Sequence, residues 1–265
     1  MRIVNLFIPV LAGVVSAMAF TAPPNRTRPS NSTRVPVLLE LFTSEGCSSC
    51  PPADRLLESL DSKQPVPGAE LIVLSEHVDY WNHLGWKDPW SSALYSARQE
   101  EYVGKLKSGD VYTPQLVVDG RLQVVGSDRA EVVSAVQKTI REVKIPISIS
   151  GVTRTGNQLS AHVDIAAAGW NTKAGRATLY VAVADSSDES HVSRGENAGS
   201  SLAHVAVVRV LKDVSGVDAG QAVSKDVVLT VPPGGESRVV AFLQDNVSGN
   251  VLGAAMRRVM TRGAS

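Results

Sequence analysis

The chain has 265 residues, 43% of them hydrophobic and 20% charged, which is normal for a globular protein of one large domain or two ordinary ones. Lys+Arg and Asp+Glu both total 26. That balance argues against a nucleic-acid partner, because neutralising phosphates needs a basic excess.

Arg2 is followed by an almost unbroken apolar run over residues 3–15, and Ala17-Met18-Ala19 has the small-x-small form of a signal cleavage site. Residues 1–19 therefore read as a signal peptide and the protein as secreted or periplasmic, with no stable membrane insertion after cleavage. An uncleaved anchor is the alternative, although the run is short for a membrane span. Residues 20–34, with Pro23, Pro24 and Pro29, read as a flexible leader.

Residues 37–42 form an apolar run suited to a strand buried on both faces. After a turn over 43–46, Ala53, Leu56, Leu57 and Leu60 recur at helical spacing, and Pro51 and Pro52 suit a first helical turn. Residues 71–74 predict a second buried strand and 91–107 a helix. Asp119-Gly120 between residues 115–118 and 122–125 predicts a hairpin. Ser127 is a plausible N-cap for a helix running to about Val143. Beyond Lys144, the stretches 145–149, 158–166, 177–184, 203–211, 224–231 and 238–244 predict strands with no helix between them.

The only two cysteines form the motif Cys47-Ser48-Ser49-Cys50 at the expected strand–turn–helix junction. So small a loop makes a poor stabilising staple. A thiol at a helix N-terminus, by contrast, has its anion favoured by free N–H groups and the helix dipole. On this reading Cys47 is the more exposed attacker and Cys50 the resolving thiol. Half of a zinc site and an inert pair are the other readings.

The segment from Val35 to Leu60, with Thr113-Pro114 opening the hairpin, resembles the thioredoxin-like superfamily. The stretches from Phe42 to Asp54 and His77 to Trp81, with Gly195-Glu196-Asn197, are similar to an uncharacterised family of secreted thioredoxin-like proteins with a β-rich C-terminal domain. The resemblance implies an α/β thioredoxin-like domain over 35–144 followed by an all-β sandwich-like domain over 145–262. It implies a cis Pro114 that shapes substrate contact, with Tyr112 and Thr113 lining the sulfur site. It also implies that Glu40 is a buried acid relaying a proton; a strand Glu paired with Lys or Arg is the other reading. Arg194 and Glu196 are candidates for an inter-domain pair, and His191 and His204 read as structural.

His77, Asp79, Tyr80, Trp81, His83, Trp86, Asp88 and Trp90 crowd into fourteen residues. Trp81 and His77 are candidates for contacting a substrate over the disulfide. The same histidines, joined to the thiols, suit Cu(I), and a packed structural loop is the remaining reading. The expectation is a thiol–disulfide oxidoreductase with no cofactor beyond its Cys47–Cys50 pair and no metal. Its partners would be protein or small-molecule thiols and disulfides and a redox-resetting partner. A copper-binding accessory protein is the alternative.

Overall fold

The computed structural model describes residues 34–167 and 175–259, together with Met1. The expected signal peptide and nearly all of the leader lie outside the described residues. Strand β1, Val35–Thr43, is buried on both faces from Val37 onward. Helix α1, Pro51–Lys63, has prolines in its first turn and buries Leu56, Leu57 and Leu60. Strand β2, Ala69–His77, pairs parallel to β1 along its whole length. Helix α2, Ala93–Leu106, is capped by the Ser92 side chain accepting from Leu94 N. The predicted hairpin is β3, Gln115–Val118, and β4, Leu122–Val125, with β3 antiparallel to β1. Helix α3, Arg129–Thr139, is capped by Asp128 rather than Ser127, because the carboxylate accepts from Glu131 N at 3.0 Å.

Seven strands follow: β5, Ile147–Thr155; β6, Gln158–Ile165; β7, Arg176–His191; β8, Ser201–Asp218; β9, Val223–Thr230; β10, Ser237–Asp245; and β11, Val251–Val259. The expected division into an α/β thioredoxin-like domain and a following sandwich is overturned here. A single mixed eight-stranded sheet runs in the order β11-β10-β7-β8-β2-β1-β3-β4, joining both parts of the chain. The junction is the parallel pairing of β2 with β8 at Ser75 and Val207. Only β5, β6 and β9 form a sheet of their own.

The reason lies in the two faces of β7. Leu179, Val181 and Val183 pack with the three-stranded sheet, alongside Val239, Ala241 and Leu243 of β10. Ala182 and Ala184 point the other way, into a core shared with Leu38, Leu74, Val205 and Phe242. A strand apolar on both faces must be covered on both. One cover is the small sheet; the other is the core built with the N-terminal half. Strand β11 was not predicted: its Gly253-Ala254-Ala255 centre lacks β-branched residues. A Cβ at Gly253 would meet the Ile145 carbonyl oxygen, so the close approach of the β5 lead-in requires glycine there.

Candidate functional site

The turn after β1 places Cys50 as the N-cap of α1, with no side-chain cap bond of its own. Cys47 and Cys50 are joined in a disulfide with Cα atoms 5.4 Å apart, a normal span for the bond. The Ser49 hydroxyl lies 3.3 Å from Cys47 Sγ and 3.4 Å from the Thr113 carbonyl oxygen. Cys47 Sγ itself is 3.9 Å from that carbonyl. The Thr113–Pro114 peptide is cis, so the start of β3 lies against the sulfurs. Trp81 Nε1 donates to Thr113 Oγ1 at 2.8 Å. Gly46 leaves no room for a side chain, since a Cβ would sit 3.0 Å from Trp81 Cβ. The Tyr112 carbonyl is held by Gln99 Nε2 at 2.7 Å. Thr113, Pro114, Trp81 and, more loosely, Tyr112 are thus gathered around the pair.

Three expectations need correction. Cys47 is not exposed: both cysteines have 0% relative accessibility. His77 is also fully buried and does not present its ring to a partner. Its Nδ1 lies 2.7 Å from Asp88 Oδ2, and its ring meets those of Trp90 and His204 edge-on. Glu40 faces away from the role of proton relay. Arg98 Nε donates to its Oε1 at 2.6 Å and the Tyr102 hydroxyl to its Oε2 at 2.5 Å. The ion-paired reading of Glu40 is the one the geometry carries.

The acids and bases grouped at the cysteine turn are others, which the sequence did not bring together. Glu45 is the hub of a buried cluster. Its carboxylate accepts from Trp86 Nε1 at 2.8 Å and from the Ser190 hydroxyl, and lies 3.2 Å from His204 Nε2. Its backbone N–H donates to Asp88 Oδ2 at 2.9 Å. Asp54, in the first turn of α1, accepts from Thr43 Oγ1 and lies 3.9 Å from His204 Nδ1. Burial pushes the Asp54 carboxyl above its ordinary value, against the pull of His204 and His77. Burial disfavours charge on His77, but Asp88 more than offsets this and raises the imidazole; in return His77 holds Asp88 below its ordinary value despite burial. His77 Nε2 and His204 Nδ1 have no hydrogen-bond partner. Among the described residues no group of three His, Cys, Asp or Glu is arranged to hold a metal ion.

The C-terminal half reaches this site through residues 192–200, the loop between β7 and β8. Asn197 Nδ2 donates to the carbonyls of Glu45 and Cys47, at 2.8 and 3.0 Å. Ser48 N–H donates to Glu196 Oε2 at 3.1 Å. Glu196 thus turns to the cysteine turn rather than to Arg194. The signal that could have found Glu45 was its place two residues before Cys47; Asn197 was marked only by the Gly195-Glu196-Asn197 resemblance and His204 only as a structural histidine, because their partners lie in the distant N-terminal half.

Residues 38–244 match the protein family described as "Protein of unknown function (DUF1223)". The chain belongs to the DUF1223 family. Among solved structures, an X-ray structure of a protein from Agrobacterium tumefaciens is 28% identical to this DUF1223 chain. The match covers 88% of this chain and 97% of that one, with a TM-score of 0.65. Two β-glucosidases also match, one from Kluyveromyces marxianus and one from Thermotoga neapolitana, each 14% identical. The first covers 45% of this chain and 14% of its own at a TM-score of 0.25, the second 44% and 17% at 0.20. Likenesses so weak carry no argument about this DUF1223 member. No curated protein matches it.

Proposed function

We propose that this chain is an exported thiol–disulfide oxidoreductase working through Cys47 and Cys50. The observation that carries the reading is the bonded pair at the N-cap of α1, flanked by the cis Thr113–Pro114 peptide. In the reduced form the positive end of the α1 dipole favours a thiolate here; Pro51 and Pro52 have no N–H to offer, and the Ala53 N–H donates to the Cys50 carbonyl at 2.8 Å. The Ser49 hydroxyl, 3.3 Å from Cys47 Sγ, is placed to donate to it. The local arrangement of strand, cysteine turn, helix and neighbouring cis-proline strand is similar to a thioredoxin-like active site, set here in a larger mixed sheet.

The exchange balances as follows. The Cys47 thiolate attacks one sulfur of a partner disulfide, forming a mixed disulfide and releasing one partner thiolate. The Cys50 thiolate then attacks Cys47 Sγ, closing the protein disulfide and releasing the second thiolate. Two electrons pass from protein to partner, and a thiol or dithiol partner must return them. Run in reverse, the same steps oxidise a dithiol partner.

The test is to equilibrate the folded chain with dithiothreitol and oxidised dithiothreitol, trap free thiols with a maleimide, and assay insulin-disulfide reduction in parallel. A reversible couple with catalysis that disappears in Cys47→Ser is expected. A pair that never opens in the folded chain, or an active Cys47→Ser variant, would sink the proposal. The copper alternative requires the disulfide reduced and an imidazole nitrogen offered to the thiolates. It predicts tight Cu(I) binding by the reduced chain, lost on His77→Ala.

A further inference from the structure

We propose that residues 192–200 are a clasp over the Cys47–Cys50 bond, and that its opening sets how fast any partner reaches the sulfurs. This inference rests on the redox reading of that pair. The loop is built to move as a unit. Its ends are tied together by Val192 N to Ser200 O at 2.9 Å and Gly199 N to Val192 O at 2.7 Å, and its middle by Ser200 N to Asn197 O at 3.1 Å. Val192 is fully buried and anchors one end. Gly195, at φ 77°, lies where a Cβ would stand 3.2 Å from Trp86 Cβ, so the loop tip rests on the aromatic segment.

The grip on the cysteine turn has an inner and an outer part. The inner part is Asn197, largely buried, whose amide serves two turn carbonyls, one of them that of Cys47 itself. The outer part is the bond from Ser48 N–H to Glu196, between two exposed residues. An exposed hydrogen bond is readily exchanged for water, whereas the buried amide pair leaves two carbonyls unsatisfied when it lets go. Opening therefore starts at Glu196 and is held back by Asn197. In the closed form both cysteines have 0% relative accessibility; Cys47 Sγ lies against Ser49 and the Thr113 carbonyl, and the clasp pins the backbone of the turn that must shift to bare it. Glu196 also places a negative charge at the mouth, against an anionic attacker. Once the clasp lifts, Ser48 N–H is a free donor beside the sulfur. The partner that fits this mouth carries an acceptor, a peptide carbonyl or a carboxylate, next to its own sulfur.

The test compares wild type with Glu196→Ala and Asn197→Ala, as full chains. Reduction by dithiothreitol and reoxidation by oxidised dithiothreitol are followed by maleimide trapping, and the thermal transition is recorded for each variant. Both rates should rise together, about threefold for Glu196→Ala and on the order of tenfold for Asn197→Ala, with the dithiol–disulfide equilibrium unmoved. Rates equal to wild type would overturn the clasp. So would a rise in one direction only, which would mean that the contacts stabilise one redox state rather than bar entry. Glu196 is exposed, so its variant keeps the test open even where Asn197→Ala unfolds. Failure of the underlying redox reading looks different: variant rates rise as stated while no form catalyses disulfide exchange.

Discussion

Two of the buried charge clusters among the described residues are built to opposite ends. In the first, Glu40 and Glu76 share Arg98, whose guanidinium also lies 5.0–5.2 Å from the ring centres of Tyr102, Tyr180 and Phe242. Arginine does not lose its proton in proteins, so this cluster has one charge arrangement. Burial and the adjacent Glu40 raise the Glu76 carboxyl well above its ordinary value, against the pull of Arg98. In the second cluster, Glu45, Asp54 and Asp88 meet His77 and His204 beneath the cysteine turn. Histidines exchange protons near neutrality. The first cluster braces the sheet; the second can change its charge at His77, in a cluster that holds Glu45 of the cysteine turn.

The largest expected effect separates them most sharply. Arg98→Met strands a buried carboxylate and should cost about 3–5 kcal/mol in urea unfolding, with much of that recovered in Arg98→Met/Glu40→Met. A loss under about 1 kcal/mol would mean that the brace is not one. Glu45→Ala comes next. It leaves Trp86 N–H and the Ser190 hydroxyl without their acceptor, at about 2–3 kcal/mol, and the near-ultraviolet circular dichroism of Trp86 should change with it.

The third effect is in pH. His77 is raised from its ordinary 6.5, so its contribution to stability is full below that value and is lost as pH rises through the folded-state pKa. Asp88 is lowered from 3.8, so its contribution is present above that value and is lost as pH falls through the folded-state pKa. Asp54, raised by burial, adds its own loss as pH climbs out of the carboxylate range. Asp88→Asn should therefore flatten the decline above pH 6.5, while Arg98→Met leaves that slope in place. Identical slopes in wild type and Asp88→Asn would break the contrast. Smallest is Gly46→Ala, where the new methyl would stand 3.0 Å from Trp81 Cβ; about 1 kcal/mol is expected in urea unfolding, and an unmoved transition would show that the turn gives way at no cost.

Local patterning made the elements from Val35 to Thr139 readable. Apolar runs, the Asp119-Gly120 turn and the helical spacing of Leu56, Leu57 and Leu60 each depend on neighbours a few positions away. The same reasoning fails for Glu40, because its partner Arg98 is 58 positions distant and arrives on another element. It fails for His204 and Asn197 in the same way, at 159 and 152 positions from Glu45. It misjudged Cys47 because exposure depends on what packs round a residue, and here that includes Thr113 and Asn197, 66 and 150 positions away.

By itself the amino-acid sequence determined the elements of the N-terminal half and the junction of strand, cysteine turn and helix. Spacing, turn chemistry and helix-end chemistry act over a few residues, and the chain carries them locally. Only the tertiary structure decided that β7 and β8 extend the sheet of β2 and β1 rather than forming a separate layer. It alone decided that Glu196 and Asn197 grip the cysteine turn and that Glu45 of that turn joins a histidine–carboxylate cluster. Burial and charge pairing are set by which surfaces meet, and those surfaces come from segments more than a hundred residues apart.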